Sequence, residues 1–251
     1  MSKRKVFTDL FSHDLVFDQV SRINKAKKIV AILKNSRGRL SKLNCLDVGC
    51  SSGIITNFLG GHFAKVIGVD VDNLAIKKAN QMSNKETNVR FVSSKEKQLP
   101  FSDGSFDVVV CNQIYEHVEN PNQLFTEICR VLKPDGLCFL GARNKYGGVF
   151  DGHYRLPFLS WLPRRVADIY LCLFTSKNEY DINLYSLPRL KKLVDGFVID
   201  DFTLKIIRNP KTFHASDTLP SFPIFNKILV LFASVLYFFI PNYLWILRKK
   251  G

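Results

Sequence analysis

Apolar positions between residues 15 and 34 recur loosely at helical spacing. Val16, Phe17, Val20 and Ile23, then Ile29, Val30 and Leu33, share one side and predict an opening helix. From Leu43 onward, short apolar runs alternate with stretches of helical period, the order expected of βαβ units around a parallel sheet. Strands are predicted at 45–48, 66–69, 89–92, 106–111 and 137–141, and helices at 53–61, 73–83 and 121–132. The helix at 121–132 carries the clearest signals. Asn120 can cap it, Pro121 suits its first position and Gln123 sits where a capping-box partner belongs. Leu124, Phe125, Ile128, Val131 and Leu132 form its buried stripe, and Pro134-Asp135-Gly136 turns the chain into the next strand. After Asn144 strict periodicity lapses. A strand pair is expected at about 196–208, an apolar helix at 222–239 and a last apolar run at 243–247.

Composition narrows the class. A chain of 251 residues with 46% hydrophobic and 23% charged residues builds one sizeable α/β domain and is not disordered. Its six cysteines form no CxxC pair and have no histidine at metal spacing, so neither a disulfide framework nor a zinc site is expected, and a reducing, cytoplasmic setting is. The basic start, Met1-Ser2-Lys3-Arg4-Lys5, is not followed by the apolar run of a signal peptide. A net charge of +14, with eleven Lys/Arg against three Asp in residues 1–43, favours anionic partners: phospholipid head groups, phosphorylated substrates or nucleic acid.

The chemistry centres on Leu46-Asp47-Val48-Gly49-Cys50-Ser51-Ser52-Gly53, where a strand enters a small-residue loop and then a helix. Such a loop lets backbone N–H groups and a helix N-terminus approach a ligand closely. A dinucleotide fingerprint would place glycines at 49, 51 and 54; here those residues are Gly49, Ser51 and Ile54, which argues against a nicotinamide cofactor. Asp70, about twenty residues after the loop at the end of the second strand, can accept hydrogen bonds from both hydroxyls of a ribose.

The loop resembles motif I of the class I S-adenosylmethionine-dependent methyltransferases, with Ser51 in place of the middle glycine. The resemblance continues in order through Val66-Ile67-Gly68-Val69-Asp70, Leu99-Pro100-Phe101, Ser105-Phe106-Asp107-Val108-Val109, Glu116-His117-Val118 and Leu132-Lys133-Pro134-Asp135-Gly136. It covers roughly residues 40–144 and is similar to the small-molecule and lipid "methyltransferase type 11" group. It implies a Rossmann-like fold with a seven-stranded, mostly parallel sheet, an antiparallel last strand and helices on both faces. It also implies S-adenosyl-L-methionine as cofactor, held by Asp47, Gly49, Cys50, Ser51, Gly53, Asp70, Val71 and Asn112. The family's adenine-contacting Asp falls at Lys95, so either Glu96 takes that role or adenine rests on backbone and stacking contacts. Asp107 is expected to be structural.

In such folds the acceptor pocket lies beyond the carboxyl ends of the strands. His117, His153 and Tyr154 are the candidate catalytic residues, with Tyr115 a weaker one. The segment Gly152-His153-Tyr154-Arg155 through Trp161-Leu162-Pro163-Arg164 sets an imidazole, a phenol and guanidinium groups beside aromatic surface, which suits an apolar acceptor carrying an anionic group. No metal is expected. Residues 228–247 are charge-free and long enough to span a bilayer, but Pro241-Asn242 interrupts them and the implied antiparallel strand has only 243–247 to draw on. The expectation is therefore a fold-completing strand preceded by an apolar helix that packs on the domain or enters one leaflet of an anionic membrane. The chain divides into a basic helical cap (1–42), an acceptor-side insertion (145–195) and an apolar insertion (209–240) within a single domain spanning 1–251. A small or lipid-linked methyl acceptor is the leading reading. RNA methylation is the second, against which stands the lack of a recognisable RNA-binding module. A catalytically inactive, cofactor-binding partner protein is the third.

Overall fold

A computed structural model describes residues 15–83, 88–94, 98–220 and 222–250, with side chains of the opening helix described from Gln19. Seven strands form one sheet in the order β3-β2-β1-β4-β5-β7-β6. They are β1 (Asn44–Val48), β2 (Lys65–Asp70), β3 (Val89–Ser93), β4 (Phe106–Asn112), β5 (Leu132–Arg143), β6 (Phe197–Asp201) and β7 (Asn242–Lys249). β7 runs antiparallel to both β5 and β6, and the others are parallel to one another. The central strands read as unbroken apolar runs because both faces of the sheet are covered. Alternate residues of β4 show this: Val108 and Val110 join one core, Val109 and Cys111 the other.

One face carries α1 (Leu15–Arg37), α2 (Ile54–Gly60), α3 (Asn73–Met82) and α7 (Thr203–Arg208), packed through Ile29, Leu59, Ile76 and Ile206. The other carries α4 (Pro121–Val131) and α6 (Leu187–Leu193), through Leu124, Ile128 and Leu190. α4 forms where predicted. Asn120 Oδ1 accepts from the Gln123 N–H at 3.1 Å, and Leu124, Phe125, Ile128 and Val131 are buried.

Several expectations are corrected. Val20 is exposed and Ile23 only partly buried, whereas Ile29, Val30 and Leu33 are buried as expected and are joined by Ala26 and Ile32; the side chains of Val16 and Phe17 lie outside those described. The segment 196–208 is not a strand pair: only Phe197–Asp201 is extended. Asp201 then accepts from the Thr203 N–H at 2.8 Å, and Phe202, just before α7, and Ile206 within it are buried four apart, at helical spacing. Pro134-Asp135-Gly136 does not separate helix from strand but lies within β5, where the register against β4 shifts. The last apolar run does form the expected closing strand, β7, antiparallel and paired on both sides.

The two remaining helices lie outside the doubly covered sheet. α5 (Arg164–Phe174), within the 145–195 insertion, helps form a small core of Leu159, Ala167, Leu171, Tyr180 and Ile182. α8 (Pro223–Val235) buries only Asn226 and Val230. Among the described residues no helix is long and apolar enough to cross a membrane.

Candidate active site

The strand order reverses between β1 and β4, and the crevice at their carboxyl ends is where open α/β sheets bind ligands. The register Val48↔Cys111 brings Gly49 and Asn112 side by side there. The loop after β1 is built on left-handed backbone: φ is +73° at Gly49, +48° at Ser51 and +79° at Gly53. A Cβ at Gly49 would lie 2.2 Å from the Ile114 side chain, and one at Gly53 2.5 Å from the Phe91 ring, so both positions require glycine on conformation and on space. Gly49 and Cys50 donate backbone hydrogen bonds to the Val69 carbonyl at 2.8 and 3.1 Å, which ties the loop to β2.

Asp70 completes this unit. Its Oδ2 accepts from the Ser51 N–H at 2.8 Å and its Oδ1 from the Asp72 N–H at 3.0 Å. Each carboxylate oxygen keeps a second lone pair for a ligand hydroxyl. The Ser51 and Ser52 hydroxyls are buried beside it without a partner. Buried polar atoms without partners are rare in native proteins, and on a glycine loop they mark a surface completed by a polar ligand. The residues therefore fit the implied S-adenosyl-L-methionine. Val71, at the mouth of the crevice, is half exposed and offers apolar surface. Asp47 lies beneath the loop, its Oδ2 accepting from the Thr56 hydroxyl at 2.6 Å, and burial pushes its carboxyl up to about 7. Burial also raises the Cys50 thiol, keeping it protonated. Asn112 packs its amide over Gly141, where a Cβ would lie 2.2 Å from Oδ1. Glu96 and Lys95 lie outside the described residues.

The chain leaves β4 through Gln113, a non-glycine residue at φ +59°, and enters a 3-10 turn, Tyr115–His117. Sparsely populated backbone of this kind is held in place by its surroundings. Here the Gln113 N–H donates to the Gly141 carbonyl at 2.7 Å and its side-chain oxygen accepts from Lys25 Nζ at 3.1 Å. Tyr115 is a brace: buried, its hydroxyl donates to the Arg143 carbonyl at 2.5 Å and accepts from the Tyr185 N–H at 3.1 Å. Asp107 is likewise structural, joining the starts of β1 and β4 through the Asn44 N–H and meeting Lys133 Nζ at 2.7 Å.

His117 and His153 meet although 36 positions apart: their ring centroids are 5.2 Å apart, edge to face. His153 is delivered by a turn organised around Asp151, a buried residue whose Oδ1 accepts from the His153 and Tyr154 N–H groups, each at 2.8 Å. The Tyr180 hydroxyl donates to its other oxygen. Burial lowers both imidazoles, and with the nearby Arg143 charge brings His153 down to about 4, so their surroundings favour the neutral form of each. Tyr154 is committed elsewhere. Its hydroxyl donates to Asp181 at 2.6 Å, and burial together with that carboxylate pushes its pKa up, away from service as a base.

Glu116, Arg143, Asp151 and Asp181 also shape this edge. Glu116 is 1% exposed, neither carboxylate oxygen has a hydrogen-bond partner, and burial pushes its pKa up to about 7. Its proximity to His117 was visible in the sequence; its isolation was not, because burial is a tertiary property. Arg143 lies over Gly152, where a Cβ would fall 1.6 Å from the guanidinium. Two surface clefts, of about 290 and 570 Å³, lie elsewhere: the first by the starts of β1 and β2, the second between α1 and the segment bearing His214.

Comparison with known proteins is consistent with this geometry. Residues 46–140 match a family model described as "Methyltransferase domain". A "Ubiquinone biosynthesis O-methyltransferase" from Rickettsia akari is 30% identical over 174 residues, covering 65% of this chain and 67% of that protein. One of the same name from Rickettsia conorii is 27% identical over 157 residues, covering 60% of this chain and 53% of that protein. The chain thus spans about half to two thirds of the length of these relatives. The crystal structure of an S-adenosylmethionine-dependent methyltransferase from Mesorhizobium loti shares the fold, with a TM-score of 0.56 at 16% identity over 88% of this chain and 98% of that one.

Proposed function

The chain belongs to the class I S-adenosylmethionine-dependent methyltransferases, and from that membership we propose that it methylates an oxygen of a small, apolar or lipid-linked acceptor at an anionic membrane surface. One observation carries the acceptor reading. The insertion that delivers His153 also carries α5, and both α5 and α8 turn large apolar side chains outward. On α5, Ile169, Leu173 and Phe174 are 64–74% exposed, and on α8, Ile224, Leu231 and Val235 are 66–78% exposed. Apolar patches of this extent on soluble proteins mark interaction sites. The segments beside the two helices meet through aromatic stacking: Trp161, before α5, on Phe239, after α8, at 5.9 Å between centroids, and Tyr146 on Phe238 at 5.5 Å. Exposed Arg165 on α5 and Lys227 on α8, with Arg155 earlier in the insertion, add positive charge, and cations of this kind attract anionic head groups. Oxygen as the methylated atom is supported by the relatives named O-methyltransferases.

S-adenosyl-L-methionine, when bound, supplies a methyl group already activated on a sulfonium. The protein's contribution is then alignment and exclusion of water. Asp70 would hold the ribose hydroxyls, the loop from Gly49 to Gly53 with Ser51 and Ser52 the methionine end, and Asp47 the ammonium side of that end. Asn112 closes the crevice at the amino-acid moiety. His117, His153 and Tyr154 stand on the acceptor side, where the neutral imidazoles can accept a hydrogen bond from an acceptor hydroxyl.

Incubating the protein with methyl-labelled donor and a solvent-extracted lipid and quinone fraction tests the reading. We expect label to enter the organic phase in an alkali-stable ether. Label recovered only in RNA, in protein or in polar water-soluble products contradicts it.

A further inference from the structure

We propose that Glu116, His117 and His153 form a binding site for one first-row divalent cation, such as Zn²⁺ or Mn²⁺, on the acceptor side of the crevice. One ligand atom from each residue can be chosen so that all three lie within 4.8 Å of one another. A tetrahedral set at ordinary metal–ligand distances needs separations of roughly 3.4 Å, so modest side-chain rotation about a cation closes the cluster. One carboxylate and two imidazoles form a donor set of intermediate softness, suited to zinc, manganese or iron rather than to the all-oxygen sites of magnesium and calcium.

The independent observation is the state of Glu116. A carboxylate that is 1% exposed, with no hydrogen-bond partner on either oxygen, is expensive to bury. Its own backbone N–H is near without making a hydrogen bond, and the neighbouring cations, Arg143 and Lys25, act only through their charge. A divalent ion on both flanking imidazoles would supply the missing partner. Three protein ligands leave one or more coordination positions open, as in catalytic rather than structural sites.

An acceptor oxygen in an open position would be drawn toward the oxyanion form, its proton passing to solvent. The new O–CH₃ bond then forms as the S–CH₃ bond breaks, with the electron pair remaining on the departing sulfur. This role rests on reading the edge as the acceptor side; cation binding itself does not. Arg143 is the competitor. Its Nη1 is 3.5 Å from His153 Nδ1, a contact at the limit of hydrogen bonding that would yield to an entering cation.

The test is a titration of chelator-treated full-length protein with Co²⁺, read by visible d–d absorption, with neither methyl donor nor acceptor present. Failure here is thus separable from failure of methyl transfer. One saturable equivalent, displaced by Zn²⁺, is expected, with affinity reduced about tenfold or more in Glu116→Gln and in His153→Ala and unchanged in His214→Ala, a surface histidine. Arg143→Gln should bind more tightly than wild type. Thermal unfolding provides the folding control: added Zn²⁺ raises Tm in wild type and not in Glu116→Gln. Should Glu116→Gln fail to fold, His153→Ala carries the same comparison. Absence of a Co²⁺ spectrum in wild type, or equal spectra in wild type and the ligand variants, overturns the proposal.

Discussion

At Asp47 the nearby charges oppose one another. Burial raises its pKa to about 7, the Thr56 hydrogen bond lowers it, Asp70 raises it and Arg22 lowers it. An unfolded Asp titrates near pH 3.9. Between about pH 4 and 7 the folded protein therefore keeps a proton that the unfolded chain has released. Stability contributed at this residue falls as pH rises through that window, by at most about 1.4 kcal/mol per pH unit, and is level above it. Asp47→Asn has no proton to lose. The difference in urea midpoint between wild type and Asp47→Asn should shift in favour of the variant from pH 5 to pH 7.5. A constant difference would show that Asp47 is not titrating there. The family resemblance put Asp47 in the cofactor site, but only burial beneath the loop shows that its charge is costly. Gly49 and Gly53 were legible from the motif. The reason they must be glycine, Ile114 and Phe91 pressing on the loop, is a matter of packing.

At the scale of elements, the sequence was most legible where periodicity, capping and a doubly covered sheet agreed. β1, β4 and α4 are of this kind, and they lie within about two residues of where the pattern puts them, whereas β5 begins five residues earlier. It failed where local signals conflicted with tertiary context. The run GFVIDDFTLKIIR has strand composition throughout, yet Asp201 caps a turn and Phe202 and Ile206 bury together, so its second half is helix. α5 escaped notice because only Ala167 and Leu171 face inward, which leaves no stripe to detect. α8 makes the opposite case: it was visible through its apolarity, but that apolarity faces outward. Changing Leu231, Phe232 and Val235 together to Ser alters exposed positions and should leave thermal stability almost unchanged, since surface substitutions usually stay within about 0.5 kcal/mol each. Burial of side chains this large in lipid is worth about 1.5–3 kcal/mol apiece, so the triple variant should lose at least about tenfold in co-sedimentation with phosphatidylglycerol vesicles. Equal sedimentation of variant and wild type would remove α8 from the membrane reading.

Across the whole molecule, two kinds of information meet at one edge of the sheet. The half proposed to hold the methyl donor follows a contiguous stretch: strand β1, loop, α2, then β2 ending in Asp70, all within thirty residues and readable as a motif. The half proposed to take the acceptor is assembled from distant segments. His117 follows β4, His153 comes from the insertion through Asp151, and Arg143 ends β5. No spacing rule links residues 36 and more positions apart, which is why sequence reasoning found each histidine but neither their contact nor the isolated Glu116 between them. The +14 charge and the outward-facing helices belong to the proposed picture of an enzyme working at an anionic surface.

Calorimetric titration with S-adenosyl-L-methionine tests the central claim most directly, comparing wild type with Asp70→Asn, which keeps the side chain's shape and removes its charge. The donor-site geometry predicts one binding site per chain in wild type. A loss of about ten- to a hundredfold in the variant is expected, the scale of one or two hydrogen bonds to a charged group. No binding by wild type, or equal binding by both proteins while both remain folded, would contradict the assignment of this crevice.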